Sequence, residues 1–294
     1  MIRFLIIIGI IIALYFLAIM PRVFRRPDCS AFGTRFFAHR GLHDNAGDAP
    51  ENSMRAFERA VRAGFGIELD VQLSADGVPV IFHDHDLKRM CGRTEKVRNL
   101  TFAQLRELRL LNTDQQIPSL KEFLAMTDGR VTLLIELKEE RHDVSVCREV
   151  MPLLADYHGC YCIESFNPAV LLWLRIHAPK VMRGQLSDGF LHLPEYRKLH
   201  IAWYLALVQN LLLNFVTRPD FIAYNLKFAA NPSLRLCRRL YHARTAAWTV
   251  KNDAQLADAE KQFDVFIFDS FMPETVRPES ILPEPVRPGT DSRA

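Results

Sequence analysis

Three observations predict an α/β fold, a TIM-type (β/α)8 barrel. Strand-like and helix-like segments alternate through residues 33–273, eight of the strands are joined by helical crossovers, and polar residues gather at strand C-terminal ends. The eight strands centre near residues 37, 68, 134, 162, 183, 223, 248 and 267. An extra β-hairpin and an insertion follow the second strand, and an N-terminal transmembrane helix precedes the barrel. A doubly wound open sheet would need a glycine-rich nucleotide turn, and the sequence has none.

The first segment, Phe4 to Met20, carries no charge and is almost wholly aliphatic or aromatic. Its 17 residues lie at the short end of what crosses a bilayer as a helix. No small-residue cleavage pattern follows it, so residues 1–26 are expected to be an uncleaved anchor with a basic flank. A cleaved secretory signal and a buried soluble helix are the alternatives. Arg22, Arg25 and Arg26 downstream outweigh Arg3 and the terminal amine upstream, which favours a cytoplasmic catalytic domain over an extracytoplasmic one. The net charge of +3 is too small, and too evenly spread, to indicate nucleic acid. Six cysteines (29, 91, 147, 160, 162 and 237) show no C-x-x-C pairing. Cys160 and Cys162 lie two apart on a strand and so on one face, where buried thiols or metal ligands are the two readings.

Along the barrel, Arg35–His39 reads as the first strand. Ser53 caps a helix whose apolar positions Ala56, Phe57, Ala60 and Val61 recur at helical spacing, and Gly64 ends it. The second strand runs from Gly66 to Val71. Ser74–Gly77 then turns the chain back through Val78–His83, antiparallel because so short a turn cannot make a crossover. Thr101 with Gln104 and Ser119 with Glu122 form capping boxes. Asn167-Pro168 and Asn231-Pro232 open further helices, and Asp143 is expected to cap the helix that ends near Gly159. Two stretches interrupt the repeat: an insertion over about 84–118 and an apolar excursion over about 189–217. Within the excursion, residues 201–213 are greasy enough to be a buried helix or a surface for lipid. The tail, 274–294, is Pro-rich and expected to be disordered.

The chemistry lies at the strand ends. The first strand ends in His39-Arg40-Gly41, and Pro50-Glu51-Asn52-Ser53 follows. The second carries Glu68 and Asp70, the return arm ends in His83-Asp84, and the next barrel strand carries Glu136 and Lys138. Period-two alternation puts Glu68 and Asp70 on one side of their strand. A turn centred on residues 75 and 76 sets His83 opposite Glu68 and Ile81 opposite Asp70. Three carboxylates at one barrel mouth repel unless a cation neutralises them, and Mg2+ or Ca2+ suits oxygen ligands. Arg40 and Lys138 beside that cation suit a phosphate ester, with His39 and His83 as proton carriers.

These residues resemble the glycerophosphodiester phosphodiesterase family, within the phosphatidylinositol-phospholipase-C-like phosphodiesterase superfamily. The ordered series is His39-Arg40-Gly41, Pro50-Glu51-Asn52-Ser53, Glu68-Leu69-Asp70-Val71, Asp76-Gly77, His83-Asp84 and Ile135-Glu136-Leu137-Lys138. A fainter likeness continues through Ser165-Phe166, Gly184-Gln185-Leu186 and Trp248-Thr249-Val250. The resemblance implies that Glu68, Asp70 and Glu136 hold the divalent ion and that His39 and His83 are general acid and base. It also implies that Arg40 and Lys138 contact phosphate and that Glu51 orients the site, while Trp248 either lines the pocket or packs. It implies hydrolysis of glycerophosphodiesters to glycerol 3-phosphate and an alcohol. A lysophospholipase D acting on lipids that keep an acyl chain is the alternative, and an inactive binding scaffold a third reading. Two departures occur late: Lys251 precedes Asn252 after Trp-Thr-Val, and the closing Thr-Asp-x-Pro becomes Phe268-Asp269-Ser270-Phe271-Met272-Pro273.

Overall fold

Residues 1–27, 32–139 and 143–273 are described by the structure, a computed structural model. Cys29 and the tail from 274 lie outside the described residues. Helix α1 is Ile2–Ile19. The barrel strands are β1 (Phe36–Ala38), β2 (Gly66–Leu73), β4 (Leu133–Leu137), β5 (Tyr161–Ser165), β6 (Arg183–Ser187), β7 (Phe221–Asn225), β8 (Arg244–Val250) and β9 (Val265–Phe268), with β3 (Pro79–Ile81) as the return arm. Each barrel strand pairs in parallel with the next, and β1 pairs with both β2 and β9, so the barrel closes. The eight expected strands are the eight observed.

The outer helices are α2 (Met54–Arg62), α5 (Leu120–Thr127), α6 (Ser145–Ala155), α7 (Pro168–His177), α11 (Pro232–Tyr241) and α12 (Asp253–Ala259). The insertion contributes α3 (Lys88–Cys91) and α4 (Phe102–Arg106), and the excursion contributes α8 (Pro194–Arg197), α9 (Ala202–Gln209) and α10 (Asn214–Thr217). Local signals set the helix starts. The side chains of Ser53, Asn167 and Asn231 each accept a backbone N–H of the first turn, and both capping boxes form in full. Before α6 the cap falls on Val144, which has no side-chain acceptor, while Asp143 accepts from the Ser145 N–H (3.1 Å).

Three apolar cores result among the described residues. One fills the layer between strands and helices. A second plugs the lumen with Phe37, Leu134, Cys162, Phe221 and Ile267. Gly184 is what admits Phe221: a Cβ there would lie 2.1 Å from the ring. The third lies under the insertion, where Phe82, Leu87, Val97 and Ile117 pack together, so that stretch has a core of its own.

Two expectations are corrected. The hairpin register pairs Val71 with Ile81, not Asp70, and the Phe82 N–H donates to the Asp70 carbonyl at 2.9 Å. The loop is one residue longer than expected because Ser74 Oγ accepts from the Val78 N–H (2.9 Å), which moves the turn centre to Asp76. His83 therefore lies beyond the strand, not opposite Glu68. The second correction concerns the cysteine pair: Cys162 is buried in the lumen, but Cys160 precedes the strand and is exposed.

The turn after β1 is the tightest point of the frame. Arg40 and Gly41 both adopt left-handed angles, φ 56° and 81°. A Cβ on Gly41 would stand 2.9 Å from the backbone of Ala56 and from the Phe57 ring. Gly41→Ala should cost about 1–3 kcal/mol, from left-handed strain and the clash with α2. Chemical denaturation of both proteins in detergent measures this, and an unchanged midpoint would show that the turn can relax.

Candidate active site

Three strands deliver the carboxylates. Asp70 is the register partner of Glu136, and Glu136 of Glu164, so these three form one layer across β2, β4 and β5. Glu68 lies two residues below Asp70 on the same face. All four are buried. Glu68, Asp70 and Glu136 each present an oxygen within 4.8 Å of the others. The apolar plug beneath them removes solvent, so like charges interact strongly. Burial pushes Glu68 well above the usual carboxylate range, with Asp70 adding to the effect, and burial likewise raises Glu136. Asp70 goes the other way. Burial opposes its charge, but Lys138, His83 and Arg40 together hold it well below the usual range.

Cations bind this layer from two sides. Lys138 Nζ lies 3.1 Å from Asp70 Oδ1 and donates to Glu136 Oε1 at 3.0 Å. Arg40 Nε lies 3.3 Å from Asp70 Oδ2, and the Arg40 backbone N–H donates to Glu68 Oε2 at 2.9 Å. The left-handed turn aims that N–H at the carboxylate. Asn52 Nδ2 donates to Asp70 Oδ2 at 2.8 Å.

Glu51 lies behind this layer and braces it. It accepts from Arg40 Nη1 (2.7 Å), from Arg89 Nη1 and Nη2 (2.8 and 2.7 Å) and from Asn45 Nδ2 (2.9 Å). Arg89 continues to Asp84 (2.7 Å), and Asp84 Oδ1 meets His83 Nδ1 at 2.6 Å. Gln72 Nε2 donates to the carbonyls of Phe82 and Asp84 (2.7 and 2.9 Å) and so fixes the backbone on either side of His83. A carboxylate–guanidinium chain thus ties Arg40 to His83.

His39 is held differently. Its Nδ1 faces Asp269 Oδ2 at 3.3 Å, and its Nε2 lies 3.9 Å from Glu68. Asp269 Oδ1 meets His43 Nε2 at 3.0 Å. Burial lowers the His39 pKa, and the Asp269 contact offsets only part of that. His39, His43 and Asp269 also lie within metal-bonding reach of one another, but Asp269 is already engaged by both rings.

A cavity of about 190 Å³ opens between these groups. His39, Arg40, His83 and the carboxylates Glu68, Glu136 and Glu164 form its polar half, and Phe166, Leu186, Trp248 and Ile267 the apolar half. Every candidate residue read from the sequence lines this cavity or bonds to a residue that does. Four participants were missed: Glu164, Asp269, Arg89 and His43. Glu164 is 1% exposed, and its Oε2 has no partner among the described residues. Burial, with Glu136 and Asp70 beside it, raises its pKa well above the usual range. Its signal was present, because it lies one residue from the C-terminal end of a barrel strand, on the same face as lumen residue Cys162. Asp269 follows the last strand directly, which is an equal signal. Arg89 gave none, since its reach depends on how the insertion folds.

The donor set suits a hard cation. Three buried carboxylates, with no sulfur among them, offer oxygen ligands whose mutual repulsion Lys138 and Arg40 relieve only in part.

The brace makes a stability prediction. Burial alone would raise Glu51, but Arg89 and Arg40 hold it near 2 against an ordinary 4.5. A carboxylate so depressed stabilises the fold on the order of 3 kcal/mol. That contribution is complete above about 4.5, the unfolded value, and is lost as pH falls toward 2. Glu51→Gln should therefore lower the unfolding midpoint at pH 7, and the gap to the parent should narrow between pH 5 and about pH 3. Thermal unfolding across that range checks it, and a gap that does not change with pH would refute the linkage.

Comparison with known proteins agrees with this geometry. Residues 39–269 match the glycerophosphoryl diester phosphodiesterase family. Glycerophosphodiester phosphodiesterase 1 of Bos taurus is 32% identical over 251 residues, 72% of this chain and 70% of that protein. The Homo sapiens protein of that name is 32% identical over 149 residues, 47% of this chain. The chain spans about half the length of the human, mouse and rat relatives it matches (44%, 46% and 46%). The solved glycerophosphodiester phosphodiesterase of Thermotoga maritima superposes with a TM-score of 0.61 at 25% identity, covering 80% of this chain and 94% of that one. An Oleispira antarctica phosphodiesterase, solved with sn-glycerol-3-phosphate, superposes at 0.63 with 21% identity, covering 81% and 94%. The fold, the ordered motifs and the family match together establish that this chain belongs to the glycerophosphoryl diester phosphodiesterase family.

Proposed function

We propose that the protein hydrolyses glycerophosphodiesters to glycerol 3-phosphate and an alcohol, using a divalent cation, Mg2+ or Ca2+. One observation carries this reading: in a chain of this family, Glu68, Glu136, both histidines and Arg40 border a single cavity, with Asp70 and Lys138 bonded directly to that set. Glu68, Asp70 and Glu136 would hold the ion, which would supply positive charge to the phosphoryl oxygens and acidify a bound hydroxyl. Arg40 and Lys138 bind the phosphate oxygens. Glu51 keeps Arg40 at the cavity wall by accepting from its Nη1. The apolar wall, Trp248 included, takes the less polar part of the substrate.

His39 is the base in this scheme. With its Nδ1–H given to Asp269, its Nε2 is left to accept a proton inside the cavity. A hydroxyl of the substrate's own glycerol, deprotonated there, attacks phosphorus. His83 lies nearer solvent, with Asp84 on its Nδ1, and protonates the departing alcohol. Water then opens the cyclic phosphate with the two roles exchanged.

Membrane attachment through residues 4–20, with the apolar excursion at 201–213 beside it, is part of the proposal. So is the division into anchor 1–26, catalytic barrel 33–273 and tail 274–294. The cytoplasmic side follows from Arg22, Arg25 and Arg26, which act on the chain as it inserts. A second reading, lysophospholipase D, is favoured by the apolar half of the cavity. A Mus musculus lysophospholipase D is 36% identical over 98 residues, 33% of this chain and 28% of that protein.

Two measurements test the proposal. Turnover of glycerophosphocholine should vanish in chelator and return with Mg2+ or Ca2+. His39→Ala and His83→Ala should each lose about 10²–10⁴-fold in kcat while remaining folded. Full activity in chelator would remove the cation from the mechanism, and near-normal turnover of either histidine variant would remove that residue.

A further inference from the structure

Helix α1 is not a free tether, because its last turns are part of the barrel wall. Tyr15 Oη and Ser233 Oγ share a hydrogen bond of 2.8 Å. The Ile19 carbonyl accepts from Asn214 Nδ2 (3.0 Å) and from Cys237 Sγ (3.2 Å), and Ile19 is fully buried. Tyr241 Oη donates to the Phe16 carbonyl (2.9 Å). Beyond the helix, the Arg22 N–H donates to the Pro219 carbonyl (3.0 Å), and Arg26 reaches the carbonyls of Tyr241 and His242 (3.0 and 3.3 Å).

The order of these contacts gives a direction. Tyr15 meets Ser233 at the start of α11, Ile19 meets Cys237 one turn later, and Arg26 meets the end of α11. The two helices therefore run side by side in the same sense. Because α11 follows β7, it starts at the strand C-terminal ends, where the cavity opens, and ends at the opposite face. Residues 2–14 must then continue past the start of α11 and rise above the cavity rim. All of them are exposed. Their uncharged part, which begins at Phe4 after Arg3, reaches about 17 Å at 1.5 Å per residue, less than the roughly 30 Å hydrocarbon core of a bilayer.

The excursion adds a second surface on the same rim. Ser187 Oγ donates to the Val208 carbonyl (3.0 Å), and Tyr224 Oη to the Gln209 carbonyl (2.8 Å). The end of α9 is thus tied to the C-terminal ends of β6 and β7. Asn231, the cap of α11, also reaches the Gln209 carbonyl (3.4 Å). The preceding residues crown the rim next to α1, and they expose Leu199 (42%), Ile201 (37%) and Trp203 (68%). From the cavity, a file of edge-on rings leads to this crown: Trp248 to Phe166 (5.7 Å), Phe166 to Phe190 (5.9 Å) and Phe190 to Tyr196 (5.8 Å).

We infer that the barrel's catalytic mouth faces the bilayer, and that a substrate carrying an apolar chain enters from the lipid along this aromatic file. The inference rests on the anchor and hydrolase readings and specifies the geometry they leave open. An uncharged segment that projects only about 17 Å beyond the rim is buried in hydrocarbon only when the rim comes down to the headgroup layer. Trp203, Leu199 and Ile201 form a surface suited to that layer. A barrel held clear of the membrane on a stalk would need a free segment between helix and barrel. Here hydrogen bonds to the barrel recur from Tyr15 to Arg26, which leaves no such segment.

The test uses the full-length protein reconstituted in phosphatidylcholine vesicles, plain or brominated on the acyl chains. Brominated lipid should quench tryptophan emission, and Trp203→Phe should remove most of that quenching. The double variant Leu199→Ser/Trp203→Ser should hydrolyse soluble glycerophosphocholine within about twofold of the parent. It should lose about fivefold or more on lysophosphatidylcholine carried in vesicles. Equal quenching with and without Trp203, in protein that floats with the vesicles, would overturn the orientation and leave the anchor standing. Equal rates for parent and double variant on the vesicle substrate would overturn the entry route. Protein that does not float would overturn the anchor itself, and the orientation with it. Absence of activity on both substrates in the parent would instead count against the hydrolase reading.

Discussion

Crowding four buried carboxylates into two adjacent layers of one barrel mouth is the constraint on which the rest of this structure depends. Glu68, Asp70, Glu136 and Glu164 sit above a lumen filled by Phe37, Leu134 and Phe221, where charge is poorly screened. Left alone, such a layer would take up protons, and the raised values of Glu68, Glu136 and Glu164 show that tendency. Only Asp70 is drawn firmly the other way, and it is the one carboxylate touched by Lys138, Arg40 and Asn52 together. The layer is therefore only partly neutralised by protein. That residual deficit is what a bound cation would neutralise, and it exists before any substrate arrives.

The cost of holding this charge is spread through the surrounding shell. Arg40 cannot face the carboxylates without the left-handed turn after β1, and that turn needs a residue at 41 with no side chain to strike α2. Glu51 in turn anchors Arg40, and it shares Arg89 with Asp84, which orients His83. His83 and Arg40 are thus positioned by one continuous chain of ion pairs. A change anywhere along it should move both ends, so the effects of Glu51, Arg89 and Asp84 substitutions are expected to be non-additive.

The repeat of strands and helices was legible because its signals are local: caps, Asn-Pro starts and apolar period. The carboxylates of β2 and β4 were legible for the same reason, since alternation fixes a face once a strand is recognised. What failed was register. Shifting the turn centre by half a residue, from between 75 and 76 to Asp76, moved every cross-strand partner by one, and the side-chain bond to Ser74 that accompanies it is not a feature of strand periodicity. His83 still reached the cavity, but through Gln72 holding the backbone beyond the strand, which no pairing rule supplies. Glu164 and Asp269 carried the same strand-end signal as Glu136. They stood alone, without a second polar residue two positions away, and so did not form a pattern. Arg89 lies in an insertion with its own small core, and its reach to Glu51 is purely tertiary.

The two interruptions of the repeat share a physical logic with the anchor. In a regular barrel the connection from β6 to β7 is one helix that buries its apolar face against the strands. Here the connection first crowns the rim, ties itself to Ser187 and Tyr224, and only then descends as α10 to meet α1. Asn214, on α10, bonds the last carbonyl of α1, so the crown and the anchor are two ends of one packed unit. A greasy surface on that unit would be a liability in water. That surface lies on the side where the cavity opens, as the proposed bilayer-facing mouth requires, and the same unit that creates it would set the barrel's tilt toward the lipid.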